Sequence, residues 1–288
     1  MVCFVQKGSF MYVIKKILNN NALLAFDIEK KSEVIFLGKG VGFNKKIAMT
    51  GEAQPGIKKY YLHKDTEKGL AADLIKNVSP IYLEITHEII KEAEVKFEEL
   101  DNHILLPLAD HIAFAIERIE GNTSFENPFT NDIRFLYEQE FEVALKGKAV
   151  IEEKTGYIIS DDDVGYIALY IHSAISDTKV SQSMNVAIIM GEAIKHIEKD
   201  CNMTIKVGTF SYSRLMYHFR FMVARVMTDE ILHSDMIEYT KTHCSYAFEV
   251  AASVCKKLEK ELGKTFSEKE VSYLALHIER IRMMDVTD

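Results

Sequence analysis

Two kinds of hydrophobic pattern divide the chain. Near the start, short apolar runs alternate with turn residues: residues 11–17, 22–26 and 33–37 read as β-strands, and Asn19-Asn20-Asn21 and residues 28–31 as the turns between them. Gly38-Lys39-Gly40 permits unusual backbone angles, and residues 41–43 are expected to open a fourth strand. Residues 48–56 (AMTGEAQPG) have linker chemistry, and residues 58–63 predict one last short strand. The pattern then turns helical, first over 67–77 and, after Pro80, over 81–100, where Ile81, Ile85, Ile89 and Ile90 mark one face.

The helical part is written twice. LADHIAFAIER (108–118) returns as LMYHFRFMVAR (215–225), with His111 and His218 in the same place and 107 residues apart. Phe141-Glu142-Val143-Ala144 recurs at the same offset as Phe248-Glu249-Val250-Ala251, Gly156 as Gly263, and Ser160 as Ser267. VGYIALYI (164–171) returns as VSYLALHI (271–278), which puts Tyr170 and His277 at equivalent positions, each 59 residues after its module's first histidine. Ser160 with Asp163, and Ser267 with Glu270, fit the capping-box spacing and predict where the last helix of each copy begins. Residues 175–183 form a short polar linker between copies.

His111 follows Leu108 by three and precedes Ala115 by four, with Ile112, Ile116 and Ile119 continuing the stripe, so it lies at the edge of a buried helical face. A lone histidine there is ordinarily a core-edge residue holding one hydrogen bond. Recurrence at His218, with His277 at the second special position, argues instead for a paired site near a cleft. A neutral imidazole keeps one nitrogen free to attack while the other fixes its tautomer. Asp110 and Glu117 are the nearby groups that would orient His111, although the copy offers Tyr217 and Ala224 instead. There is no HExxH and the acidic neighbours are not repeated, so no metal or other cofactor is expected.

Composition adds a charge asymmetry. The net charge is −8, yet residues 11–46 carry seven lysines against Asp27, Glu29 and Glu33; with Lys7 also basic, the rest of the chain holds −13. A small basic head on an acidic body points to a head that binds a polyanion. The head is also too small to bury much alone, which leads us to expect a homodimer. Cys3, Cys201, Cys244 and Cys255 show no CxxC spacing and read as reduced thiols. With no run of eighteen apolar residues, a cytoplasmic protein without membrane insertion is expected.

The motif order resembles a known family. Lys16-Ile-Leu-Asn-Asn-Asn21, then Gly38-Lys-Gly-Val-Gly-Phe-Asn-Lys-Lys46, then two modules carrying DHIAFAI and YLALHIER, are similar to the BglG/SacY family of transcriptional antiterminators. DHIAFAI with Asn127-Pro128-Phe129 and His172-Ser173-Ala174 is most similar to its glucose-responsive branch. The resemblance implies a small antiparallel β N-terminal RNA-binding domain followed by two homologous all-α helical-bundle domains. Residues 1–10 would be an N-terminal extension, 11–64 the co-antiterminator RNA-binding domain, and 65–177 and 183–288 the two phosphotransferase-system (PTS) regulation domains.

It also implies function. A dimer would grip an RNA hairpin that overlaps a terminator and let the polymerase read through into a sugar-utilisation operon. Lys16, Asn21, Gly38, Lys39, Gly40 and Phe43 match the family's RNA-binding positions. His111 matches the family's phosphorylation site in the first module, and His218 and His277 the two sites of the second. The partners would be HPr and a sugar-specific Enzyme II. Tyr170 departs from the family's histidine, and a phenol with an unperturbed pKa of about 10 cannot take histidine's role in a phosphorelay. His172, two residues on, is the nearest substitute but points about 200° round the helix. Two rivals are a DNA-binding activator with the same regulation modules, which needs a helix-turn-helix, and a histidine-dependent enzyme, which needs a pocket with an acid, base or metal set.

Overall fold

The structure, a computed structural model, describes residues 12–52, 56–62, 65–66, 69–98, 100–176, 178–233 and 236–285. The N-terminal extension and His63 lie outside the described residues. A five-stranded antiparallel sheet holds β1 (Tyr12–Asn19), β2 (Ala22–Asp27), β3 (Ser32–Leu37), β4 (Thr50–Gly51) and β5 (Lys58–Tyr61), in the order β4-β1-β2-β3-β5. The first three strands fall where alternation put them. One face of the sheet packs Tyr12, Ile14, Leu23, Ala25, Val34 and Phe36 together, with Tyr12 edge-on to Phe36 at 4.8 Å between ring centroids.

Two expectations fail here. Residues 41–43 are not a strand: Val41 N–H donates to Gly38 O, Phe43 N–H to Gly40 O and Lys45 N–H to Gly42 O, a run of successive turns. Gly40 has φ +73°, and a Cβ on Gly42 would lie 2.1 Å from the Asn19 carbonyl oxygen, so the glycines bend this segment back onto the sheet end. The fourth strand comes instead from the expected linker, where Thr50 and Gly51 pair with Val13 and Tyr12. The predicted helix over 67–77 is also shorter, because a small hairpin, β6 (Asp65–Thr66) with β7 (Gly69–Leu70), precedes α1 (Ala71–Asn77).

The remaining helices are α2 (Pro80–Lys96), α3 (Leu105–Glu120), α4 (Thr130–Leu136), α5 (Glu138–Thr155), α6 (Asp161–Ser176), α7 (Val180–Cys201), α8 (Phe210–Met227), α9 (Ile237–His243), α10 (Ser245–Leu262) and α11 (Glu268–Asp285). The first residues of α4, α5 and α6 recur 107 positions later as those of α9, α10 and α11, so the duplication seen in the sequence holds helix by helix. The chain forms two compact units. One contains the sheet, α1 to α3, nearly all of α5, and α6, with α2 laid against β2, β3 and α3. The other contains the segment Asn127–Glu138 with the helices from residue 181 onward. In that second unit α4 lies on α8, and the Tyr212 hydroxyl donates to Asp132 Oδ1 at 2.8 Å.

Candidate functional site

Each helical module builds a histidine site from its counterparts of α3 and α6. In the first, the predicted capping box forms: Ser160 Oγ accepts from the Asp163 N–H (3.1 Å) and donates to Asp163 Oδ2 (2.8 Å), which fixes the start of α6. The same Asp163 is gripped by Arg118 of α3 and has its Oδ1 3.8 Å from His111 Nε2. Asp163 is therefore a carboxylate beside His111 that the sequence motif around the histidine does not contain. His111 is 8% exposed and packs between Tyr166 (5.3 Å) and Tyr170 (5.8 Å). His172 lies elsewhere on α6, with Nδ1 2.8 Å from Oε1 of the buried Glu140 on α5.

The second module repeats this plan with different chemistry. Gly208, at φ +83°, and the Thr209 side chain, which accepts from the Tyr212 N–H, start α8 so that Leu215, His218, Phe219 and Met222 fall on its buried face. Arg225 of α8 grips Glu270 of α11 bidentately, Nε to Oε1 at 2.7 Å and Nη2 to Oε2 at 2.8 Å. His218 stacks on His277 with centroids 4.3 Å apart and planes 24° from parallel, and Tyr273 closes on the edge at 4.8 Å. Burial, then the neighbouring His277 and Arg225, push the His218 pKa down to about 2; burial, Arg214 and Arg280 push His277 down to about 4. Both rings are neutral near pH 7. His218 Nε2 and His277 Nδ1 have no hydrogen-bond partner among the described residues. A neutral imidazole carries one nitrogen lone pair, the kind an electrophilic phosphorus needs.

Arg118 and Arg225, Asp163 and Glu270, and Tyr166 and Tyr273 are thus site residues that histidine-led reading passed over. The signal was present, since all three pairs obey the 107-residue offset; Asp163 and Glu270 had been absorbed by their capping role.

The candidate RNA-facing residues gather at one end of the sheet. Gly38 N–H donates to Asn21 O, Gly42 N–H to Asn20 O, and Gly40 N–H to Asn21 Oδ1 at 3.0 Å, which ties the asparagine turn to the glycine turn. Lys39 and Gly40 are exposed at that end, Gly38 and Asn21 are half-buried, Lys16 is exposed on β1, and Phe43 is 62% exposed. Phe43 therefore does not serve the core. The donors of this end are held from α2: Asn19 Nδ2 donates to Glu84 Oε1 (2.6 Å) and Asn21 Nδ2 to Glu84 Oε2 (3.1 Å). Further along α2, His87 Nδ1 lies 2.6 Å from the Tyr60 hydroxyl, and Glu94 pairs with Lys58.

Comparison with known proteins matches both kinds of site to described domains. The model of the CAT RNA binding domain matches residues 12–69, and that of the PRD domain matches residues 83–174 and again 191–281. The chain is 29% identical to Protein GlcT of Staphylococcus haemolyticus over 93% of its own length and 95% of the relative's. It is also 29% identical to the GlcA/glcB genes antiterminator of Staphylococcus carnosus, over 93% and 94%. A solved structure titled "Crystal structure of GlcT CAT-PRDI" is 35% identical, covering 58% of this chain and 99% of that one, with a TM-score of 0.49. With an RNA-binding sheet at its head and two PRD modules built around repeated histidines, the chain belongs to the BglG/SacY family of PTS-regulated transcriptional antiterminators.

Proposed function

We propose that the chain acts as a homodimer in the cytoplasm, is not an enzyme, and belongs to the glucose-responsive branch of its family. Residues 11–64 hold the hairpin, with Lys16 and Lys39 on phosphates, Asn21 and Phe43 on loop bases, and Gly38 and Gly40 allowing close approach of the RNA. Residues 65–177 and 183–288 are the regulation modules, phosphorylated at His111 and at His218 and His277 by HPr and a sugar-specific Enzyme II. His172, engaged with Glu140, is left out of the acceptor set, so control through the first module rests on His111. The names of the relatives support the glucose branch, and the absence among the described residues of a helix long and apolar enough to cross a membrane fits the compartment. The stacked His218–His277 pair, with His218 buried, His277 half-buried and a nitrogen of each without a partner among the described residues, is the observation that carries the regulatory part of this reading.

The RNA part is tested by a mobility-shift titration of the full chain against a hairpin RNA and a duplex DNA of the same length. We expect the hairpin alone to shift, and Phe43→Ala to weaken binding by about 1–3 kcal/mol, the worth of one base stacked on an aromatic ring. A chain that prefers duplex DNA, or that ignores the loss of Phe43, contradicts the reading.

A further inference from the structure

His218 and His277 open onto a cavity of about 380 Å³ whose wall also includes Ser213, Arg214, Phe221 and Arg225. Of its two arginines, Arg225 is committed to Glu270 through two hydrogen bonds. Arg214 sits one helical turn before His218, on the same face of α8, and stacks on the Phe210 ring at 4.9 Å. No carboxylate pairs with it among the described residues, although its charge reaches His277. At the equivalent position, four residues before His111, the first module has Pro107.

We propose that Arg214 is the phosphoryl-holding residue of the second module, making this cavity a phosphate-dianion site that the first module lacks. The proposal rests on the reading of His218 and His277 as acceptors. The lone pair of the free imidazole nitrogen attacks phosphorus, the bond from phosphorus to the donor's nitrogen breaks, and that nitrogen leaves with its electron pair and protons. A group carrying about −1.5 to −2 charge is thereby delivered beside Arg214 at the mouth of this cavity. A planar guanidinium offers two parallel N–H donors to such a group without needing the pair already held by Glu270.

The test uses phosphoramidate, which releases ammonia on transfer, with the intact chain, phosphorus NMR and mass mapping; exposed His243 reports that the donor works. We expect phosphohistidine at His218 or His277, a lifetime about tenfold shorter in Arg214→Ala, and partial recovery in Arg214→Lys. Equal lifetimes in the wild type and Arg214→Ala overturn the assignment of Arg214 and leave the acceptor reading standing. Label on His243 with none on His218 or His277 in the wild type overturns both.

A separate observation carries a second inference. Glu84 accepts one hydrogen bond from each of Asn19 and Asn21, as a phosphate or base acceptor of RNA would. We infer that Glu84 occupies these donors in competition with the hairpin, so that RNA binding requires α2 to release the asparagine turn. Glu84→Gln and Glu84→Ala in the full chain are expected to tighten hairpin binding by about threefold or more, the worth of one ordinary hydrogen bond. Unchanged or weaker binding, with unaltered thermal unfolding, makes Glu84 a scaffold for the turn and overturns the inference; no binding by any of the three chains overturns the RNA assignment along with it.

Discussion

The two histidine sites share a frame and differ in what the frame holds. Arg118 with Asp163 and Arg225 with Glu270 are the same interhelical clasp, nearly buried in both modules, and each places a histidine against a tyrosine, Tyr166 or Tyr273. The second module then adds another imidazole, His277, and an arginine, Arg214, that has no carboxylate partner among the described residues, where the first has Tyr170 and Pro107. The clasp supplies position and the variable residues supply chemistry. Duplication therefore preserves the fold while letting the residues around each first histidine differ, Tyr170 and Pro107 in one copy and His277 and Arg214 in the other.

The largest expected effect concerns what the copies share. Removing one partner of a buried ion pair leaves the other charge stranded, at a cost of about 3–5 kcal/mol. Asp163→Ala and Glu270→Ala should each lower unfolding stability by that order in urea titrations, and comparable losses are expected because the clasp is common to both. A loss at only one of the two would break the equivalence.

Acid probes the imidazole pair of the second module. In the second module both imidazoles titrate below the unfolded value of about 6.5, at about 2 for His218 and about 4 for His277. Between those values and 6.5 the unfolded chain binds protons that the folded chain refuses, so stability is full above pH 6.5 and falls as the pH drops toward 4. Thermal unfolding followed over that range should show this slope, and a His218→Gln, His277→Gln double substitution should reduce it, leaving the part due to His87 and His196, which burial also pulls down. An unchanged slope would mean that the pair is not held neutral.

The smallest effect on stability, and the sharpest on the comparison, comes from Tyr170→His. It puts an imidazole where the Tyr170 ring now lies beside His111, and mass mapping after phosphotransfer should then find label at position 170 as well as at His111. Label confined to His111 would show that geometry, and not residue type alone, distinguishes the modules.

Much of this was legible beforehand. Strands β1 to β3, the helical repeat and the starts of α6 and α11 after Ser160 and Ser267 follow from alternation, offset and spacing, because each is a local rule that tertiary packing reinforces. Val41 and Phe43 carry strand-like side chains, so pattern alone predicts a strand at 41–43; the deciding fact, the approach of Gly42 to the Asn19 carbonyl, is a long-range contact. β4 was missed because two residues pairing with an edge leave no period to detect. The Arg118–Asp163 clasp joins residues 45 apart on different helices, and only the repeat, not the spacing within one module, marks it. The hold of Glu84 on Asn19 and Asn21 leaves no trace in local pattern.

The most direct test of the central claim, a complete acceptor site in the second module and a partial one in the first, is phosphotransfer to the intact chain from purified Enzyme I, HPr and a sugar-transporter domain. Modified residues would be mapped by mass spectrometry, and hairpin binding assayed before and after. Label at His111 and on the His218–His277 pair, with none at Tyr170 or His172 and a change in hairpin affinity, is the predicted result. Label at His172 with His111 blank, or blank histidines throughout the second module, would contradict it.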